Sequence, residues 1–63
     1  MKNFCISFLW KSNEYYPPLE EQFNYFFREM GVNIINTQVV TADYTDDKGH
    51  IVYQETMYVW YTV

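Results

Sequence analysis

The last segment of the chain, His50 to Val63, is apolar on both of its alternating faces. Odd positions give Ile51, Tyr53, Met57, Val59, Tyr61 and Val63, with Glu55 as the exception. Even positions give Val52, Tyr58 and Trp60 among Gln54, Thr56 and Thr62. A strand half-covered by a helix needs one apolar face. A strand that is apolar on both faces fits the middle of a sheet. In a chain of 63 residues such a strand asks for more cover than one short helix supplies. The surplus points to a partner.

Length sharpens this. The chain makes one domain, residues 1–63. A domain this small buries only about 60% of its unfolded surface and is marginally stable alone. Disulfides, a metal or oligomerisation are the usual remedies. Cys5 is the single cysteine and His50 the single histidine, so an internal disulfide is impossible and a metal cage has few soft ligands. Oligomerisation or a bound partner is the remedy left. No cofactor is implied.

Four segments follow along the chain. From Lys2 to Lys11, Phe4, Ile6, Phe8 and Trp10 alternate with Asn3, Cys5, Ser7 and Leu9, which predicts a strand. Ser12 to Pro17 is a loop, and Pro17-Pro18 stops any strand. A helix is predicted from Pro18 to Met30. Pro18 suits its first position, Glu20 and Glu21 its first turn, and Gly31 a left-handed cap. Leu19, Phe23, Phe26, Phe27 and Met30 form one helical stripe, with Phe23 and Phe27 expected against the sheet and largely buried. Val32 to Tyr44 is a second strand. Its Asn33, Asn36 and Gln38 suit a sheet edge. Thr45 to Gly49 is a hairpin turn. Asp47-Lys48 followed by a left-handed Gly49 would set Asp46 opposite His50. A four-residue loop would shift the register by one and exchange every face.

The order is thus β-α-β-β in an α+β fold. The helix returns the chain, so the first two strands run parallel. The third runs antiparallel to both and can sit between them, the preferred arrangement; the alternative places strand two beside strand one in parallel. The result is one helix on a three-stranded antiparallel sheet of order 1-3-2. This is a split β-α-β unit, half of a ferredoxin-like arrangement. One sheet face is left bare, or nearly so.

Aromatic residues make up 22% of the chain. Trp10, Tyr53, Tyr58, Trp60 and Tyr61 cannot all lie under one short helix. Packing around the helix edges, a self-complementary dimer face and a stacking platform for a base are the three uses open to them. Lys11 adjoins Trp10, and Tyr15-Tyr16-Pro17-Pro18 makes a rigid aromatic–proline loop beside it. Trp10, Lys11, Tyr15, Tyr16, Tyr53, Tyr58, Trp60 and Tyr61 are therefore the interface or ligand candidates.

Other constellations carry less chemistry. Asp43, Asp46 and Asp47 surround the turn but lack calcium-loop spacing, and Lys48 lies among them, so a solvated turn is expected. Cys5 and His50 fall at opposite ends of the sheet, which disfavours a nucleophile–base pair. Cys5 reads as a small core-facing hydrophobe. The glutamates select no catalytic pair. No catalytic residue is assigned, and a non-enzymatic protein is expected.

The net charge of −4, with four Lys or Arg in all, argues against binding nucleic acid. It suits a basic protein surface. No apolar stretch approaches the length of a membrane helix or of a signal peptide. A cytoplasmic chain with a reduced thiol is expected. The profile is small, acidic, aromatic-rich and without a catalytic motif. It resembles that of many inhibitors encoded by phages and other mobile elements, which bind and block a host protein. The likeness is one of profile, not of sequence. The leading expectation is a homodimer or higher oligomer that blocks a protein target. The competing one is a protein that sequesters a nucleotide-like ligand by aromatic stacking at an oligomer seam.

Overall fold

Alternating apolar segments become strands, and the 3.6-residue stripe becomes a helix. In a computed structural model, which describes residues 2–63, the elements are β1 (Asn3–Lys11), α1 (Leu19–Phe27), β2 (Asn33–Thr45) and β3 (Ile51–Thr62). Their sheet order is β1-β3-β2, and both neighbours run antiparallel to β3. The predicted α+β layout is therefore the observed one.

Hairpin geometry fixes which face is which. The Asp46 N–H donates to the His50 carbonyl at 2.9 Å and Gly49, at φ 81°, completes the bulged turn. The Asp46 carboxylate also accepts from the backbone N–H groups of Lys48 and His50, each at 2.9 Å. Of the two registers open to the turn, the one with Asp46 opposite His50 is observed, and Thr45 pairs with Ile51. Odd residues of β3 then face the helix. Tyr61 meets Phe27 across 5.3 Å, ring edge to ring face.

The helix is held by rings. Phe8 lies among Phe23, Phe26 and Phe27 at centroid distances of 6.5, 5.8 and 6.2 Å. A nine-residue helix would not persist alone, so this cluster keeps it formed. Gln22 adds a polar tie, its side-chain amide donating to the carbonyls of Leu9 and Pro17, each at 2.8 Å.

Three details differ from the sequence reading. The helix ends at Phe27 rather than Met30, with Arg28 as its cap and a tighter turn from the Met30 N–H to the Phe27 carbonyl. The Met30 side chain stays exposed, so burial does not reward a further turn. Gly31 is not left-handed; Gly49 is the glycine at positive φ. Phe23 and Phe27 face the sheet but are half-buried rather than largely buried.

Length explains that last point. A nine-residue helix is about 13 Å long, whereas β3, with 12 residues, extends about 40 Å. The helix therefore covers one end of the hairpin. Buried apolar side chains among the described residues are Leu19, Val52, Val59 and Tyr61, and only Val52 and Val59 are fully enclosed. The radius of gyration is 14.1 Å, against about 11 Å for a compact domain of this length. No helix among the described residues is long and apolar enough to cross a membrane.

Candidate binding surface

The aromatic residues singled out in the sequence divide among four places. Tyr61 belongs to the core, 9% exposed, stacked on Phe4 at 5.5 Å and edge-on to Phe27. The helix covers that end of β3, and Tyr61 packs beneath it.

Tyr58 and Trp60 lie on the face away from the helix, their ring centroids 6.1 Å apart. Among the described residues no second layer covers this part of the sheet. On β1 their neighbours are Ser7 and Cys5, and on β2 Gln38 and Asn36. Two adjacent rings framed by small and amide side chains form a flat amphipathic patch of the sort enriched at protein interfaces. Cys5 is exposed on this face rather than core-facing, because the helix packs on the other side.

Toward the hairpin the same face is closed. The Tyr15–Pro17 loop brings Tyr16 to the corner occupied by Lys11 and Tyr44, and the Lys11 ammonium sits 6.0 Å from the Tyr44 ring centroid. Val52, paired with Tyr44, is 1% exposed there. The Glu14 carboxylate, within hydrogen-bonding reach of the Tyr16 hydroxyl, raises that phenol above its ordinary value, with desolvation adding to the effect. Tyr15 points outward and is 97% exposed.

Trp10 and Tyr53 lie on the helix side, past the end of α1. With Thr41, Asp43 and Glu55 they line a cleft of about 460 Å³. Glu55, the break in the apolar odd run, sits opposite Trp10 on β1 and Thr41 on β2. The lining includes two carboxylates and no Lys or Arg. Ring faces beside carboxylates favour a cation such as a guanidinium or ammonium. Trp10 and Lys11, adjacent in sequence, fall on opposite faces, so this cleft offers phosphate no cation.

The sequence reading missed Asp43, Thr41 and Glu55 as partners of Trp10 and Tyr53. The single charged position in the odd run of β3 was the available signal. It also missed how open β2 is, with Ile34, Ile35, Val39, Val40 and Tyr44 all exposed. Cys5 and His50 sit toward opposite ends of β3, Cys5 opposite Trp60 and His50 just before Ile51. Among the described residues no group of three or more His, Cys, Asp or Glu is placed to hold a metal ion. No family model matches the chain, and no curated protein or solved structure matches it.

Proposed function

We propose that the chain is a non-enzymatic binding protein that acts as a homo-oligomer and blocks a protein target. The observation that carries this reading is the Tyr58–Trp60 pair, Tyr58 exposed and Trp60 half-buried, on a sheet face that no second layer covers among the described residues. Large rings of this kind give contact area at low conformational cost. The net charge of −4 favours a basic target surface. A lysine or arginine of the target would fit the cleft of Trp10, Tyr53, Asp43 and Glu55. The profile of an inhibitor from a phage or other mobile element is consistent with this.

A tagged chain incubated with lysate, followed by mass spectrometry, tests the reading. One specific protein should be retained, and Trp60→Ala should release it while the fold is kept. Retention of nothing above background would count against it. Calorimetry with cyclic and linear nucleotides addresses the competing reading of a stacked nucleotide at an oligomer seam. Heat from any of them would favour that reading over a protein target.

A further inference from the structure

The two edges of the sheet are treated differently. On β1 the Leu9 carbonyl, which points away from β3, is taken by the Gln22 side chain at 2.8 Å. The helix thus caps that edge, and Lys2 and Lys11 flank it. On β2 nothing comparable occurs. All 13 residues of the strand are exposed. Asn33–Thr45 contains no Lys, Arg or Pro, and Asp43 is its single charge. Among the described residues no side chain and no backbone outside the hairpin hydrogen-bonds to it. A long edge with a single charge, no proline and no hydrogen-bonded cover is a template for another strand.

We propose that β2 pairs with β2 of a second copy, antiparallel about a two-fold axis at Val40, so that the two sheets join into one. The inference rests on the homo-oligomer reading above and names its seam.

Backbone alternation selects the register. Asp46 and His50 form a hydrogen-bonded pair, so pairs alternate from there along the hairpin. The N–H and C=O groups of Thr37, Val39, Thr41 and Asp43 consequently point outward, unpaired. An axis at Val40 sets Val39 opposite the second copy's Thr41 and Thr37 opposite its Asp43, joining outward groups to outward groups. The paired run extends from Asn36 to Tyr44, clear of the bulge at Ile35 and of the turn. An axis at Val39 would run Asp43 into that bulge. An axis at Thr41 would set the Asp43 carboxylate opposite Val39. With Val40 on the axis, Asp43 instead faces a threonine hydroxyl and the two valines touch. No like charges oppose each other.

The area agrees. The chain exposes 4965 Å², whereas a compact monomer of its 7.7 kDa exposes about 4,300 Å². The difference, taken from two copies, is about 1,200–1,300 Å², above the roughly 1,000 Å² a specific interface needs. An axis normal to the sheet keeps both helices on one side. The Tyr58–Trp60 faces then lie side by side on the other, free for a target.

Two variants test the seam beside the wild type, with mass measured by sedimentation. Thr41→Pro removes an outward N–H and leaves the hairpin ladder intact, as prolines at strand edges do. It should stay folded and halve the mass. Val40→Cys in a Cys5→Ser background should oxidise to a covalent dimer, because facing residues of a non-hydrogen-bonded pair lie about 4.5 Å apart at Cα. Gln38→Cys alone should cross-link far more slowly, yet an equal mixture of Gln38→Cys and Ala42→Cys should link. An oligomeric wild type whose Thr41→Pro form keeps its mass, with Val40→Cys no faster than Gln38→Cys, overturns the seam and spares the homo-oligomer reading. A folded monomeric wild type overturns both. If that monomer also loses its captured protein on Val39→Pro, which removes an outward N–H outside the cleft of Trp10 and Tyr53, the edge takes a strand of the target rather than a second copy.

Discussion

The carbonyl of Leu9, on the outer edge of β1, accepts a hydrogen bond from the side-chain amide of Gln22 at 2.8 Å. The same amide reaches the Pro17 carbonyl at 2.8 Å, so one residue ties helix, entry loop and strand together. Gln22→Ala removes both bonds at about 1 kcal/mol each, or roughly 1–2 kcal/mol in all. A fall in melting temperature of about 5–15 °C follows for a domain this small. Thermal unfolding followed by circular dichroism checks it. A melting temperature unchanged by the substitution would show that the edge needs no such cap.

Phe8 is the ring on which the helix rests. Phe8→Ala strips Phe23, Phe26 and Phe27 of their shared neighbour and should cost about 3–5 kcal/mol, close to all the stability a core of this size supplies. Phe23→Ala, at a half-buried position, should cost about 2–3 kcal/mol. Urea titration ranks the two. Equal losses, or a Phe8→Ala chain that stays folded with little change, would place the centre of the cluster elsewhere.

Much of this fold is legible in the sequence because the periodicities are clean. The two-sided apolar run of β3 announces a central strand. The Phe stripe announces the helix, and Asp46 to His50 the turn. Relative length was harder to read. Residue patterns say which face of a helix packs, but not that a nine-residue helix leaves most of a long hairpin uncovered. Tyr61 and Tyr53 carry the same odd-face pattern, yet one is beneath Phe27 and the other beyond the helix. Cys5 looked core-facing because Leu9 and Cys5 make the odd face of β1 mildly apolar, and only the side chosen by the helix decides that question.

The hairpin turn separates backbone strain from side-chain capping. Gly49 has φ 81°, and an added Cβ would meet nothing within 4 Å. Gly49→Ala should therefore cost about 1–2 kcal/mol from conformation alone, and Gly49→Asn less. Asp46→Ala loses two backbone-to-carboxylate bonds and should cost about 1.5–3 kcal/mol. Chemical denaturation of the three variants gives the order. Asn no better tolerated than Ala would argue that the positive φ is not what selects glycine here.

Tyr16 should ionise above the ordinary phenol value of 10.0, since the Glu14 carboxylate favours its neutral form. The sign of the linkage follows. The folded state holds this proton more tightly than the unfolded chain, so the contribution of this one group is fully present below pH 10 and is lost as pH rises through the folded value. Ultraviolet titration of the tyrosines, repeated on Glu14→Gln, reads the difference. Glu14→Gln should bring Tyr16 back toward 10.0. No movement would mean that the carboxylate does not act on the phenol.

The β2 edge and the Tyr58–Trp60 face are proposed to be shared with another chain, first of all a second copy. Sedimentation equilibrium across the micromolar range measures this directly. The account predicts a species of at least twice 7.7 kDa, with native circular dichroism and thermal stability that rises with concentration. A well-folded 7.7 kDa monomer at high micromolar concentration, its melting temperature independent of dilution, would contradict it.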